Sequence, residues 1–308
     1  MLLSRAVRAL LTGLTGLAWL AWLSTPAAAE SAGTLPAGAA VVYGGLGVGT
    51  FHYGSSGAIR DRQWRTRADL YGAYGVSDRL QLSLDGPFVV NGVQDDPAEG
   101  PCPTEGYEGD YCDTTVSLGE IGLHARYRFT DGPKLVAGLG VRTDAWNADT
   151  RQRWTNAGLG TTSLVGSLIG GHDWESFGLV AAAHYRLTFG RVVDAGLGEV
   201  DLPGDEIVGQ LEARVPAGPV ELHASVGGVS RLAGVEYGDE YIDYYRLTED
   251  RWASLRYRAL RAEAKVSVPL GDFAGLHVAA GRVLIAANGP RDATDLSVGV
   301  HRYLPPDR

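Results

Sequence analysis

Short segments in which apolar and polar residues alternate recur along the chain from about residue 40 to its end. In the clearest segment, His124, Arg126 and Arg128 alternate with apolar side chains at Ile121, Leu123, Ala125, Tyr127 and Phe129. A period of two is typical of a β-strand with one apolar and one polar face. The pattern predicts about twelve strands, near residues 40–53, 63–75, 79–90, 116–130, 134–147, 158–171, 176–189, 205–215, 219–233, 252–269, 273–287 and 293–304.

The lengths of the strands and of their connections indicate a membrane protein. Most segments run 10 to 16 residues, whereas soluble strands are commonest at about five or six and a transmembrane strand needs about nine to eleven. Short turns alternate strictly with longer polar stretches at 54–62, 91–115, 148–157, 190–204, 234–251 and 288–292. This predicts an all-β fold, a transmembrane antiparallel up-and-down β-barrel whose short turns and termini are periplasmic.

Two further features refine this prediction. Aromatic residues gather at both ends of the predicted strands, for example Tyr74 and Trp174 near short turns and Trp64 near a long loop, as in the girdles of membrane barrels. The alternation breaks near Gly119 and near Leu260, where we expect bulges.

The N-terminal segment follows a different pattern. Arg5 and Arg8 precede an apolar run from residue 9 to 23, and Ala27-Ala28-Ala29 follows it. This order predicts a secretory signal peptide over residues 1–29, cleaved after Ala29, with the barrel over residues 30–308. An uncleaved anchor is the alternative, but about 15 apolar residues fall short of the ~20 that span a bilayer.

Composition and charge narrow the functional classes. Gly makes up 43 of 308 residues, roughly twice the ordinary share. Hydrophobic residues at 45% and charged residues at 20% argue against disorder. The formal net charge of −9 argues against nucleic acid as a partner.

The two cysteines, Cys102 and Cys112, lie in a predicted loop rich in Pro, Gly and Asp. In an oxidising compartment they predict one disulfide. A metal site is the alternative, but no cluster of histidines lies near them in the sequence. We expect neither a metal nor a cofactor.

Two stretches resemble a known family. Residues 74–88, YGVSDRLQLSLDGPF, look like a hairpin of the MetA-pathway phenol-degradation family of outer-membrane barrels, and residues 117–129, SLGEIGLHARYRF, are similar to one of its strands. Glu120 replaces the usual Asp of that strand. The resemblance implies an outer-membrane channel or transporter for a small solute, hydrophobic or aromatic in character. Outer-membrane lipid, lipopolysaccharide and the barrel-assembly machinery are the other partners that we expect.

Charged side chains fall on the predicted inner face of the barrel. They are Arg65, Arg67, Asp69, Glu120, His124, Arg126, Arg128, His184, Arg186, Glu212, Arg214, Glu221, His223, Arg256, Arg258, Arg261, Glu263 and Lys265, joined by His277. One interpretation is a polar pore with a basic constriction, which would favour anionic or polar solutes. The other is a narrow lumen filled by mutually paired side chains. Charges of both signs on one face fit both interpretations.

Two other functional classes are alternatives to a channel. A non-conducting structural or surface-interaction barrel would act through its loops at 91–115 and 234–251. A hydrolase is suggested by His223 and Ser225, two apart on one strand, since outer-membrane phospholipases carry a similar spacing. Hydrolysis also needs a third group that orients the histidine, and no Asn is placed on a strand to do so. We therefore expect no enzyme.

Overall fold

The computed structural model describes residues 33–52, 62–94, 114–144, 162–189, 192–194, 198–200, 205–232, 258–287 and 291–306. Every regular element in these ranges is a β-strand, and none of them contains a helix long and apolar enough to cross a membrane. The signal peptide at 1–29, Cys102, Cys112, Arg256 and the loop at 234–251 lie outside the described residues.

Twelve long strands form the fold, and the fourth is built from two segments that both pair with the third. They are β1 Ala40–His52, β2 Arg62–Ser77, β3 Leu80–Gln94, β4 Thr114–Leu118 with Glu120–Asp131, β5 Lys134–Asp144, β6 Thr162–Asp173, β7 Gly178–Phe189, β8 Glu206–Ala217, β9 Val220–Arg231, β10 Arg258–Pro269, β11 Ala274–Ala287 and β12 Arg291–Leu304. A separate short hairpin pairs Val192–Asp194 with Gly198–Val200.

The sheet closes on itself. Each long strand pairs antiparallel with the next, and β1 pairs with β12 from Ala40 opposite Leu304 to His52 opposite Arg291. Closure removes the free edges that an open sheet would expose. The predicted antiparallel barrel of twelve strands is confirmed. We call the end with the connections near residues 78, 132, 175, 218 and 271 the short-turn end, and the opposite end the long-loop end.

Both predicted irregularities are present, one of them on a neighbouring strand. β4 is interrupted at Gly119, as expected. Between β10 and β11 the register moves from Leu260 opposite Ile285 to Arg261 opposite Val283. The extra residue is therefore Leu284 of β11, and β10 keeps its alternation throughout.

The outer face of the barrel is apolar. Large side chains such as Leu70, Leu123 and Leu139 are exposed on it, while their chain neighbours point inward. Near the short-turn end the exposed face carries an aromatic group of Tyr74, Tyr127, Phe129, Trp174, Phe177 and Phe273. An apolar band bordered by aromatic residues is the surface that a lipid bilayer solvates.

Candidate functional site

The lumen contains most of the charged residues that the sequence placed there. Strand alternation turns inward, in buried or half-buried positions, Arg65, Arg67, Asp69, Glu120, His124, Arg126, Arg128, His184, Arg186, Glu212, Arg214, Glu221, His223, Arg261, Glu263, Lys265 and His277. The wall of the lumen therefore carries charges of both signs.

The structure corrects the predicted inward position of Arg258. Its side chain is exposed and shares a face with Leu260 and Val266, away from Arg261 and Lys265. The sequence reading placed a break in β10 near Leu260, which put Arg258 and Arg261 on one face. Because the extra residue belongs to β11, Arg258 keeps the outward parity of β10.

Four buried charges at the long-loop end form one connected group, the long-loop cluster of Glu120, Arg186, Glu206 and Arg231. Arg186 Nη2 lies 2.5 Å from Glu120 Oε1, and its Nη1 lies 3.7 Å from Glu206 Oε2. Arg231 Nη2 donates to Glu206 Oε1 at 2.6 Å. The exposed fractions of Arg186 and Arg231 are 1% and 0%. The cluster links strands from β4 to β9 through the interior.

Further ion pairs line the middle of the lumen. Arg261 lies 2.5 Å from Asp295 and 2.7 Å from Glu263, measured between side-chain N and O atoms. Asp85 pairs with Arg142 and lies 3.0 Å from His124. These contacts support the interpretation of a narrow lumen filled by paired side chains.

Several members of this network were not among the predicted lumen residues, although the alternation placed Asp85 on a polar face. Asp85 shares the polar face with Gln81 and Ser83 opposite Leu82 and Leu84, and Asp295 is followed by Leu296 and Val298 on the other face, so strand parity held the signal for both. Glu206 and Arg231 are the first and last residues of their strands, where alternation stops being informative.

Inward glycines make room for the large polar side chains. A Cβ on Gly140 would overlap the His124 ring, and one on Gly281 would overlap the Arg261 guanidinium. Gly299 leaves the same kind of space for Tyr43 and His277, whose rings stack with centroids 5.1 Å apart. Much of the barrel wall thus needs glycine because bulky groups cross a narrow interior.

The short-turn half of the lumen also has apolar patches, which the sequence reading did not foresee. Val136, Ile169, Val180 and Ala182 cluster on the inner face of β5, β6 and β7. Val41, Tyr43, Tyr71 and Ala73 form a second cluster on β1 and β2. β5 begins Lys134-Leu-Val-Ala137 with no alternation, so the sequence alone did not assign Val136 to a face.

The chain before β1 lies against this inner wall. Leu35 packs on the second apolar cluster, and its N–H donates to Gln81 Oε1 at 3.0 Å. The Ala37 N–H donates to Asp78 Oδ1 at 2.9 Å. We call residues 33–38 the N-terminal strap, since they cover the inner face of β1–β3 at the short-turn end.

The structural comparisons identify the fold. No protein-family model and no curated protein matches the sequence. An outer-membrane channel from Pseudomonas putida F1 is similar in structure, with a TM-score of 0.67 at 17% identity over 89% of this chain and 98% of that one. The translocator domain of the autotransporter NalP from Neisseria meningitidis has a TM-score of 0.50 at 13% identity over 97% of both chains. At these identities the likeness establishes the fold, that of an outer-membrane β-barrel.

Proposed function

We propose that this protein is an outer-membrane channel for a small solute and that the long-loop cluster closes it. The observation that carries the proposal is the closed twelve-stranded barrel with an apolar outer face and a wall of charged residues inside. The structural likeness to the channel from P. putida F1 supports it. The short-turn end is then periplasmic, and the long-loop end faces the outside of the cell.

The chemistry of the lumen favours an amphipathic solute. Its short-turn half offers Val136, Ile169 and Tyr71 on the inner wall, while charged pairs hold the long-loop end. A solute with an apolar or aromatic body and a polar group matches both surfaces. The motifs at 74–88 and 117–129 support the same assignment, since the phenol-degradation family that they resemble implies a hydrophobic or aromatic solute.

Opening requires the long-loop cluster to separate. Arg186 and Arg231 are buried completely, so a solute cannot pass between them and Glu206 while the pairs are intact. The charges of both signs return to water when the pairs open, which limits the free energy that opening requires.

Conductance in planar bilayers tests the channel. We expect small, infrequent conductance from the wild type and larger, sustained conductance from Arg186→Ala and from Arg231→Ala. The control is Lys134→Ala, which removes an exposed ion pair with Asp173 at the other end of the barrel. Heat-modifiable migration on gels verifies that each protein is folded, and silence from all the folded proteins would contradict the proposal.

A non-conducting barrel is the second candidate, and one observation favours it. The charges of the long-loop cluster are paired as in a structural core, with Arg186 and Arg231 inaccessible to water. In that case the cluster serves stability alone. Folded Arg186→Ala and Arg231→Ala proteins would both stay silent in bilayers.

We also propose that the signal peptide is removed on export and that the two cysteines form a disulfide. Removal of residues 1–29 leaves Glu30 at the N-terminus, and Cys102 then bonds to Cys112. The intact mass of protein purified from outer membranes, before and after reduction and alkylation, checks both. Crosslinking to lipopolysaccharide and to the barrel-assembly machinery in cells tests those partners.

A further inference from the structure

Three neighbouring strands bring a carboxylate, an imidazole and a hydroxyl into line in the short-turn half of the lumen. His223 Nδ1 lies 2.9 Å from Glu212 Oε1, and His223 Nε2 lies 3.0 Å from Ser267 Oγ. In register His223 faces Arg214 on β8 and Lys265 on β10, so Glu212 and Ser267 are its diagonal neighbours on the two sides. Diagonal neighbours on one face of a sheet are within reach of long side chains.

The hydrogen bonds of His223 to Glu212 and to Ser267 are those by which a histidine activates a serine nucleophile. In the tautomer that carries the ring proton on Nδ1, Glu212 accepts the Nδ1–H and the Nε2 lone pair accepts the hydroxyl proton of Ser267. A serine hydrogen-bonded to a histidine that a carboxylate orients is the arrangement that serine hydrolases use on unrelated folds. We propose that Ser267, His223 and Glu212 form a hydrolytic triad that acts on a neutral carboxylic ester in the lumen.

The triad lies at the short-turn mouth of the barrel. Ser267 is two residues before the end of β10, and His223 is three residues after the start of β9. The neighbouring Glu221 has 45% of its side chain exposed. Ser267 itself is half-buried, so the side from which a small ester can approach it is the short-turn end, away from the long-loop cluster.

Two more charges complete the site. Lys265 is the next inward residue on β10, and its Nζ lies 3.7 Å from Glu212 Oε2, so its positive charge stabilises the Glu212 carboxylate that orients His223. Glu221 Oε2 lies 3.1 Å from His223 Nε2 and stabilises the imidazolium once His223 has taken a proton. Glu221 and Ser267 both lie within contact distance of Nε2.

The reaction balances with water as the only co-reactant. Ser267 Oγ forms a bond to the ester carbonyl carbon while its proton moves to His223 Nε2. The bond from that carbon to the alkoxy oxygen breaks, and His223 returns the proton so that the alcohol leaves. Water then attacks the acyl group on Ser267 while its proton moves to His223 Nε2. The bond to Oγ breaks, His223 returns that proton to Oγ, and the carboxylic acid leaves.

The position of the triad selects for a solute and against bilayer lipid. Leu222 and Val266, the chain neighbours of His223 and Ser267, are exposed on the outer face. Ser267 and His223 therefore face the lumen, and an ester bond in a bilayer phospholipid cannot reach them. The expected substrate is a short-chain ester of a small alcohol or phenol.

Labelling with a fluorophosphonate and hydrolysis of p-nitrophenyl acetate test the triad on the folded full-length protein in detergent. We expect mass spectrometry to find the label on Ser267. Ser267→Ala abolishes the labelling and the enzymatic hydrolysis, and His223→Gln lowers the rate by about 100-fold or more, the usual contribution of a general base. Glu212→Gln lowers the rate of labelling, because Glu212 positions the histidine.

Ser225→Ala is the matched control. Ser225 is also an inward serine, two residues from His223 on β9, but in register it faces Glu212 and Glu263. We expect its labelling and hydrolysis to match the wild type. The folded state of the wild type is verified by heat-modifiable migration on gels. The proposal is overturned if this folded protein is not labelled, if Ser267→Ala is still labelled, or if the wild type hydrolyses the phospholipid of vesicles. Because the triad lies away from the long-loop cluster, Ser267→Ala leaves conductance unchanged.

Discussion

Arg186 and Glu120 form an ion pair across the interior, with Nη2 and Oε1 2.5 Å apart, although β5 and β6 lie between their strands. Both side chains are buried, and Arg186 Nε also donates to Ser163 Oγ at 2.8 Å. The guanidinium thus holds one wall of the barrel to another at the level where the long loops begin.

Removing one partner of this pair destabilises the fold. Arg186→Met leaves the buried Glu120 carboxylate without its cation, and we expect the free energy of unfolding to fall by about 3–5 kcal/mol. Urea unfolding in phospholipid vesicles, followed by tryptophan fluorescence, measures the change. The comparison is Lys134→Met at the exposed pair with Asp173, for which about 1 kcal/mol or less is expected. Equal effects would show that the buried pair has no special role.

Gly75→Val displaces the N-terminal strap. Gly75 is an inward residue of β2, and a Cβ there would overlap the Pro36 carbonyl. We expect a cysteine placed at Leu35 to react slowly with a maleimide in the parent protein and at least about ten times faster with Gly75→Val. The native cysteines are first replaced by serine.

Gly72→Val is the control for the strap. Gly72 lies on the same strand, and its Cβ would have open space. The labelling rate at position 35 stays at the parent level if the strap is held as described. A rate raised equally by both substitutions would mean that the strap does not depend on Gly75.

Gly281→Val tests the space reserved for Arg261. The new side chain overlaps the guanidinium, which cannot swing away without leaving Asp295 and Glu263. We expect a loss of about 1–3 kcal/mol in the free energy of unfolding, as for other overpacked interiors. Gly209→Val, where a Cβ meets nothing within 4 Å, leaves the unfolding midpoint unchanged.

Leu139→Arg tests the lipid-facing surface. Leu139 lies near the middle of β5 with 64% of its surface exposed. A charge there meets the hydrocarbon of the bilayer, and we expect the free energy of unfolding in vesicles to fall by about 2–4 kcal/mol. If this face were in contact with water and not with lipid, replacing the exposed leucine by arginine would leave the stability almost unchanged. A variant as stable as the wild type in vesicles would contradict the membrane assignment of this face.

Strand number, most strand faces and the interruption at Gly119 were readable from the sequence because each is a local property. A period of two assigns Leu123 to lipid and His124 to the lumen without knowledge of any other strand. Turn and loop lengths likewise order the strands, since antiparallel neighbours are joined directly.

The hydrolase motif shows where local reasoning fails. His223 and Ser225 share a face, but residues two apart on a strand lie roughly 6.5 Å apart along it. The hydroxyl that meets His223 belongs to Ser267, which is 44 residues away in the chain. That contact depends on the register between β9 and β10, and no alternation within one strand reveals it.

The sequence by itself determined a closed barrel with an apolar outside, because backbone pairing and side-chain alternation repeat at every strand. Only the tertiary structure decided which charges meet. The contact of Arg186 with Glu120 depends on the curvature of the closed sheet, which brings strands three apart within reach of each other. The outward position of Arg258 depends on a single extra residue on β11. Both are set by pairing between distant segments, and so the chemistry of the lumen emerges only when the barrel closes.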